Sequence, residues 1–267
     1  MDFRTIVDIK KPDFNIDACE NILLVGSCFA DNIGKKFEEE KFNVTVNPFG
    51  VMYNPASIYH TIMKTDSKPR IAIFTLGTNH VYILKETGEI VDNCAKKPQC
   101  LFVEKELTID ECAEYITKAI DALLKRTNDL KVILTVSPIR YKKYGFHSSA
   151  LSKATLLLAA NKVAEAYNDI VYYFPAYEII NDELRDYRFY SPDMIHPSQQ
   201  AIEYIWERFS NTLFSESAKK FIEEWKPIKE ALGHKPFNPE SQEYKSFLDK
   251  TMLKVKALSK KYPKFVF

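Results

Sequence analysis

Two patterns of hydrophobic and polar positions alternate along the chain. Short runs of consecutive apolar residues predict strands buried on both faces, and apolar residues that recur every three or four positions predict amphipathic helices. The predicted strands cover residues 21–25, 43–46, 71–76, 131–136 and 170–174. The predicted helices follow Ser27 and cover residues 110–125, 151–167 and 198–209. This order predicts an α/β fold in which a parallel sheet carries helices on both faces.

Two regions depart from the βα order. Residues 81–84 and 90–91 are apolar segments on either side of Gly88, which predicts a hairpin that leaves the main sheet near the site. After Phe209 the composition shifts to lysine and glutamate, and helical spacing returns over residues 218–231 and 243–258. We therefore expect a main domain over residues 1–211 and a helical appendage over residues 212–267, packed on or near that domain.

Composition limits the kind of partner. The 267 residues are 46% hydrophobic, enough for one large core, and the formal net charge is only +1. So small a net charge gives no long-range field to hold nucleic acid or an anionic membrane, so we expect a small or neutral partner. The sequence leaves the oligomeric state open.

The cysteines and the N-terminus suggest a compartment. Five cysteines are an odd number and lack the paired short spacings of zinc sites, so we expect reduced thiols and neither a metal nor another cofactor. The N-terminus shows no basic patch followed by an apolar core, and no apolar run is long enough to cross a bilayer. The expected location is cytoplasmic.

The residues best suited to catalysis lie at predicted strand ends or in a downstream motif. Ser27 follows the first strand, and Asp193 and His196 stand three residues apart far downstream. Ligands of open α/β sheets bind at the carboxyl ends of the strands. A serine hydroxyl needs a base to accept its proton, and a carboxylate on the other imidazole nitrogen fixes the tautomer of that base. The order predicts a catalytic triad with Ser27 as nucleophile, His196 as base and Asp193 behind it.

Acyl transfer by such a triad also needs donors for the oxyanion. Backbone amides at Ser27 or Cys28, the amide of Gly50 and the side-chain amide of Asn79 are the candidates. Each donor of this kind typically lowers the barrier by about 3 kcal/mol.

Each of these residues also has a simpler structural interpretation. Ser27 and Asp193 could only cap the helices that follow them, and it is their joint occurrence with His196 that favours catalysis. Cys28 could be a thiol nucleophile, but a neighbouring side chain in a tight turn points elsewhere and small cysteines are commonly buried. His80 and His147 could contact substrate or simply be solvated in loops. Residues 185–190 could brace the Asp193 segment or line a substrate cleft.

The motifs carry a family resemblance. Gly26-Ser27-Cys28-Phe29-Ala30 resembles the signature for which the GSCFA family is named, and the family belongs with the SGNH hydrolases. The resemblance extends over residues 22–209, through segments 47–51, 75–78, 92–94, 137–138, 151–154 and 193–197. Two blocks differ from the wider SGNH pattern, because Val25-Gly26 precede Ser27 in place of Gly-Asp and His80 follows Asn79 in place of Asp.

The resemblance implies a fold and a site. The fold would be a flavodoxin-like three-layer αβα sandwich with a central parallel sheet, followed here by the C-terminal helices. The triad would be Ser27, Asp193 and His196, with Gly50 and Asn79 as oxyanion donors and no metal. The residues expected to lie beside the substrate are Gly77, Thr78, His80, Asn93 and His147.

The leading functional hypothesis is a serine esterase. It would remove a small acyl group, such as acetyl, from a sugar or alcohol hydroxyl through an acyl-Ser27 intermediate, so that its partner is a small acyl ester and could be an acylated carbohydrate. Two alternatives stay open: an O-acyltransferase with the same triad, and a non-catalytic carbohydrate-binding or assembly module.

Overall fold

A five-stranded parallel sheet forms the centre of the molecule. The computed structural model describes residues 3–92, 97–265 and 267. The strands of the central sheet are β1 (Asn21–Gly26), β2 (Asn43–Val46), β3 (Ile71–Leu76), β7 (Lys131–Val136) and β8 (Val171–Tyr173). They lie in the order β2-β1-β3-β7-β8, and every neighbouring pair is parallel.

A second, smaller sheet is antiparallel. It consists of β4 (His80–Leu84), β5 (Ile90–Val91) and β6 (Phe102–Glu106), in the order β5-β4-β6. The predicted hairpin is present, because Tyr82 pairs with Val91 across a turn in which Gly88 has a φ of +73°. The third strand of this sheet was not predicted.

Helices cover both faces of the central sheet. They are α1 (Cys28–Glu39), α2 (Pro55–Lys64), α3 (Ile109–Leu124), α4 (Gly145–Ala166), α5 (Ala176–Glu178), α6 (Gln199–Leu213), α7 (Glu216–Leu232) and α8 (Gln242–Lys261). Successive strand residues point to opposite faces, so Ile22 packs with α1 and α6 whereas Leu23 packs with α2, α3 and α4. The predicted three-layer αβα sandwich is confirmed.

The two helices on the first face, α1 and α6, run parallel to each other. Lys36 of α1 forms an ion pair with Glu203 of α6. Further along both segments the ring of Phe37 lies 4.8 Å from that of Trp206, and the ring of Phe42 lies 5.1 Å from that of Phe214. Because the contacts advance in the same direction along both, the two helices begin at the same edge of the sheet, where the parallel strands end.

The C-terminal helices pack at the other end of α1. Phe221 and Trp225 of α7 form a separate apolar cluster with Val255 and Leu258 of α8. The Trp225 indole donates to the Glu39 carbonyl at 2.9 Å, at the last residue of α1. With a rise of 1.5 Å per residue, the 12 residues of α1 separate this contact from Ser27 by about 18 Å. The boundary at residue 212 stays a prediction.

One helix, α2, lies outside the predicted pattern. The Asn54 side chain caps it by accepting from Ser57 N at 2.9 Å, and Pro55 occupies its first position, where a missing N–H costs nothing. The helix α4 begins at Gly145, six residues before the predicted start. No helix within the described ranges combines the length and the apolar character needed to cross a bilayer.

Candidate active site

Ser27 occupies the turn between β1 and α1. It is the N-cap of α1, and its Oγ accepts from Phe29 N at 3.3 Å and lies 3.1 Å from Thr75 Oγ1. A Cβ atom on the preceding Gly26 would lie 2.3 Å from the Thr75 carbonyl oxygen, so only glycine fits between β1 and β3. The serine is therefore a helix cap and at the same time stands at the carboxyl end of a central strand.

Asp193 and His196 form a hydrogen-bonded pair in the loop before α6. His196 Nδ1 lies 2.6 Å from Asp193 Oδ2, while Asp193 Oδ1 accepts from the backbone amides of Ile195 and His196 at 2.9 Å and 3.0 Å. These hydrogen bonds, led by the His196 amide, lower the pKa of Asp193 to about 2. Met194 adopts a φ of +57° between them, a strained conformation that aims the two amides at one oxygen.

The fold brings the pair to the same edge as Ser27. Lys36 stands nine residues after Ser27 and its ion-pair partner Glu203 stands seven residues after His196, on two parallel helices. The two site residues therefore lie at similar heights along α1 and α6. Asp193 holds Nδ1, and within the described ranges the other ring nitrogen of His196, Nε2, has no hydrogen-bond partner. Within the described ranges no hydrogen bond joins Ser27 to His196, and the side chains of His196 and Asp193 are 42% and 45% exposed.

Gly77, after β3, packs directly against the serine. Its amide and that of Thr78 donate to the Tyr53 carbonyl at 3.0 Å and 2.8 Å. A Cβ atom on Gly77 would lie 2.8 Å from that carbonyl oxygen, 2.9 Å from the Tyr141 hydroxyl and 3.3 Å from Ser27 Cβ. The absence of a side chain at this position lets three different segments converge beside the serine.

Most of the predicted oxyanion donors already have acceptors. The Gly50 amide donates to the Asn47 carbonyl at 2.8 Å in a tight turn, where Gly50 has a φ of +94°. Asn79 Nδ2 donates to the Leu107 carbonyl at 2.8 Å, and the Ser27 amide donates to the Thr75 carbonyl at 3.1 Å. The roles of Gly50 and Asn79 in catalysis stay predictions. The single N–H of Gly50 would have to exchange its present hydrogen bond, whereas Asn79 Nδ2 has a second N–H besides the one that Leu107 accepts.

Two family models match the sequence. The model of the GSCFA family matches residues 21–72 and 66–209, and the model described as "GSCFA domain protein, C-terminal domain" matches residues 225–267. This chain belongs to the GSCFA family. Among curated proteins, none matches the sequence.

Solved structures of GDSL-like and esterase proteins share the fold of this GSCFA protein. A GDSL-like lipase from Parabacteroides merdae has a TM-score of 0.50 at 13% identity, over 75% of this chain and 100% of that one. A catalytic mutant of an acetylxylan esterase from Geobacillus stearothermophilus also has a TM-score of 0.50 at 13% identity, over 76% of this chain and 98% of that one. At such identities the likeness establishes a common fold only.

The other residues expected beside the substrate have protein partners or are exposed. Thr78 Oγ1 lies 3.1 Å from Ser152 Oγ, and His80 stacks on Tyr144 with ring centres 3.9 Å apart. Burial lowers the pKa of His80. His147 is exposed in the first turn of α4. Asn93, with Cys94, lies outside the described residues.

A buried lysine near the site was not predicted. Lys153 Nζ donates to the carbonyls of Gly77 and Ser137, both at 2.7 Å, and these two residues follow β3 and β7 directly. The residue is only 3% exposed, and burial lowers the pKa of its amine to about 7. A neutral amine has two N–H groups, which matches the two carbonyls. In the sequence, Lys153 was included only in segment 151–154 of the family resemblance, to which no catalytic or binding role was assigned.

The thiol of Cys28 points to a tyrosine. Its Sγ lies 3.7 Å from the Tyr53 hydroxyl, and burial together with this contact raises the pKa of Tyr53 to about 12. The cysteines within the described ranges all carry free thiols: Cys19, Cys28, Cys100 and Cys112. In the same ranges no cluster of three or more histidine, cysteine, aspartate or glutamate side chains could hold a metal ion.

Residues 185–190 brace the Asp193 segment and also line a cleft, whose use by a substrate stays a prediction. Tyr190 pairs with Pro197 and so braces the loop that carries His196. From the other side, Arg140 donates to the Met194 carbonyl at 3.1 Å. The segment also lines an open cleft of about 270 Å³ beside this loop. Its lining residues are Arg140, Ile180, Asn181, Arg185, Asp186, Tyr187 and Tyr190.

Proposed function

We propose that this GSCFA protein is a serine ester hydrolase that works through Ser27, His196 and Asp193. The observation that supports it best is the placement of a buried serine and an Asp–His pair at the start of two parallel, adjacent helices, where the strands of the sheet end. Structures of esterases and lipases with the same fold are consistent with this proposal.

Acylation begins with the serine hydroxyl. Ser27 Oγ attacks the carbonyl carbon of the ester while its proton passes to Nε2 of His196. Asp193 remains ionised, because its pKa is about 2, and stabilises the imidazolium that forms. When the tetrahedral intermediate collapses, the bond to the leaving oxygen breaks and His196 returns the proton to it, which releases the alcohol.

Deacylation repeats the sequence with water. A water molecule gives a proton to His196 Nε2 and its oxygen attacks the acyl carbon. The bond to Ser27 Oγ then breaks, the serine oxygen takes the proton from His196, and the acid is released. No net change of the protein remains after the cycle.

We further propose a small acyl group, such as acetyl, on a sugar or another alcohol as the substrate. One protein with this fold is an acetylxylan esterase, and the cleft beside the His196 loop offers the aromatic rings of Tyr187 and Tyr190 and the guanidinium groups of Arg140 and Arg185. Rings and charged donors of this kind bind sugar faces and hydroxyls.

Labelling with a fluorophosphonate tests the nucleophile. We expect the wild-type protein to be labelled and Ser27→Ala to be unlabelled, because the reagent bonds to an activated serine. Ser215→Ala is the matched control, since Ser215 caps α7 as Ser27 caps α1 and accepts from Ala218 N at 3.1 Å. Each variant should lose about 1 kcal/mol of stability with its cap.

The thiol alternative is tested in the same assay. Cys28→Ala should keep both labelling and hydrolysis of p-nitrophenyl acetate. An unlabelled wild-type protein, or Ser27→Ala labelled as fast as wild type, would contradict the proposal.

A further inference from the structure

The hydroxyl of Tyr141 is a hydrogen-bond donor near Ser27 that belongs to none of the expected motifs. Tyr141 follows β7 by five residues and therefore lies at the same edge of the sheet as Ser27. Its hydroxyl and Ser27 Cβ lie 2.9 Å and 3.3 Å from the one point that a Cβ atom on Gly77 would occupy. The phenol oxygen and the serine thus pack close together against Gly77.

The ring of Tyr141 is held from three directions. Its backbone amide donates to Ser149 Oγ at 3.1 Å, which ties the residue to α4. The ring meets that of Tyr53 edge to face at 5.9 Å, and Lys153 Nζ lies 5.5 Å from its centre. Because Lys153 also holds the Gly77 carbonyl, one buried amine fixes both the tyrosine and the glycine beside the serine.

The hydroxyl of Tyr141 differs from its neighbours in having no partner. The Tyr53 hydroxyl contacts Cys28, and the Tyr144 hydroxyl lies 3.1 Å from that of Tyr82. Within the described ranges no hydrogen bond involves the Tyr141 hydroxyl. Burial raises the pKa of Tyr141, so the phenol keeps its proton and remains a donor.

We infer that the Tyr141 hydroxyl donates a hydrogen bond to the acyl oxygen of the bound ester, and that this bond strengthens as the oxygen becomes negative in the tetrahedral intermediate. The inference rests on the proposed function. It assigns to a side chain of this protein an oxyanion donation for which the Gly50 amide would first have to give up its present acceptor. A fixed donor in a site with little water stabilises such charge more than a donor in water does.

The substitution Tyr141→Phe tests the inference because it removes the hydroxyl and keeps the ring. We expect kcat for p-nitrophenyl acetate to fall about 10²–10³-fold, with KM within threefold of wild type and an unchanged denaturation midpoint. Fluorophosphonate should still label Ser27, but more slowly. Tyr172→Phe is the matched control, since that hydroxyl donates to the Lys10 carbonyl away from the site, and it should keep full activity.

A second variant separates donation from packing. Incorporation of 3-fluorotyrosine at position 141 makes the phenol a stronger donor with almost no change in volume, and it should keep kcat at or above the wild-type value. The inference is overturned if Tyr141→Phe has a kcat within threefold of wild type, or if its loss of kcat only matches a loss of folded protein. The proposed function itself fails instead if the wild type shows neither labelling nor hydrolysis.

Discussion

The two ends of α1 are built differently. At its carboxyl end the C-terminal helices supply partners for the groups of α1, because Trp225 donates to the Glu39 carbonyl. Lys229 also pairs with Glu40 at 2.7 Å, where a cation interacts favourably with the helix dipole. At its amino end Ser27 Oγ accepts a long hydrogen bond from Phe29 N and lies 3.1 Å from Thr75 Oγ1. The buried amine of Lys153 has two carbonyls and, among the described residues, no carboxylate as partners. One end of the helix is closely packed and paired, and the other carries the groups to which we assign the reaction.

This contrast predicts that substitutions at the carboxyl end change stability alone. Trp225→Ala should lower the free energy of unfolding by about 3–5 kcal/mol, because it empties the centre of the α7–α8 cluster. We expect kcat of the folded variant to equal that of wild type. Denaturation followed by circular dichroism, together with ester hydrolysis well below the transition, would measure both.

A milder substitution at the same residue refines the test. Trp225→Phe keeps one aromatic ring but removes the indole donor to Glu39 and part of the buried ring volume, so its loss should be smaller, about 1–3 kcal/mol. If either variant lost activity while folded, the two ends of α1 would be coupled and the contrast would fail.

At the amino end, Gly77→Ala should affect activity. The new methyl group would lie within 3.3 Å of the Tyr53 carbonyl, the Tyr141 hydroxyl and Ser27 Cβ, so the groups around the serine must move apart. We expect kcat to fall about 100-fold or more, since small displacements of reacting groups have effects of this size. Gly233→Ala is the control at the appendage, where the nearest atom would be 3.4 Å away, and it should be neutral in both assays.

The buried lysine predicts a smaller, pH-dependent effect. Between about pH 7 and pH 10.5 the amine of Lys153 binds a proton in the unfolded chain but not in the folded one. The free energy of unfolding of wild type, relative to Lys153→Met, should therefore rise with pH in this window, on the order of 1 kcal/mol per unit, and level off below it. Denaturant titrations at pH 6, 8 and 9 would measure the slope.

The control for this prediction is Lys85→Met. Lys85 also donates to a carbonyl, that of Cys100 at 2.7 Å, but it is exposed. Its difference from wild type should show no such slope. An equal slope in both variants would rule out burial of Lys153 as the cause.

Local patterns were sufficient to predict the central layers of the fold. The three inner strands of the main sheet, β1, β3 and β7, are buried on both faces and read as continuous apolar runs, so they fall within one residue of their predicted ranges. The strand β6 was missed because only Phe102 of its five residues is buried, which leaves no alternation to detect. The start of α2 did carry a signal in Asn54-Pro55, an N-cap followed by proline at the first position.

The sequence predicted contacts in the candidate site only between residues that are close in sequence. Asp193 and His196 contact each other within one turn, so the motif was sufficient to pair them. Tyr141 and Lys153 meet Gly77 from 64 and 76 residues away, through the packing of α4 against the sheet, and no local pattern predicts such contacts. Asn79 combines both cases: its motif suggested a donor to substrate, which stays a prediction, and the path of the chain after β6 places the Leu107 carbonyl within reach of its amide, which no local pattern predicts.

Both tryptophans of the chain pack against α1, at contacts that stabilise the fold. Trp206 lies between α1 and α6 against Phe37, and Trp225 lies where α7 meets the end of α1. The intrinsic tryptophan fluorescence of the protein therefore monitors both packed surfaces of one helix, and Trp225→Phe leaves Trp206, at the contact between α1 and α6, as the sole tryptophan. Without an added dye, emission spectra follow the docking of the appendage separately from the pairing of the helices that carry Ser27 and His196.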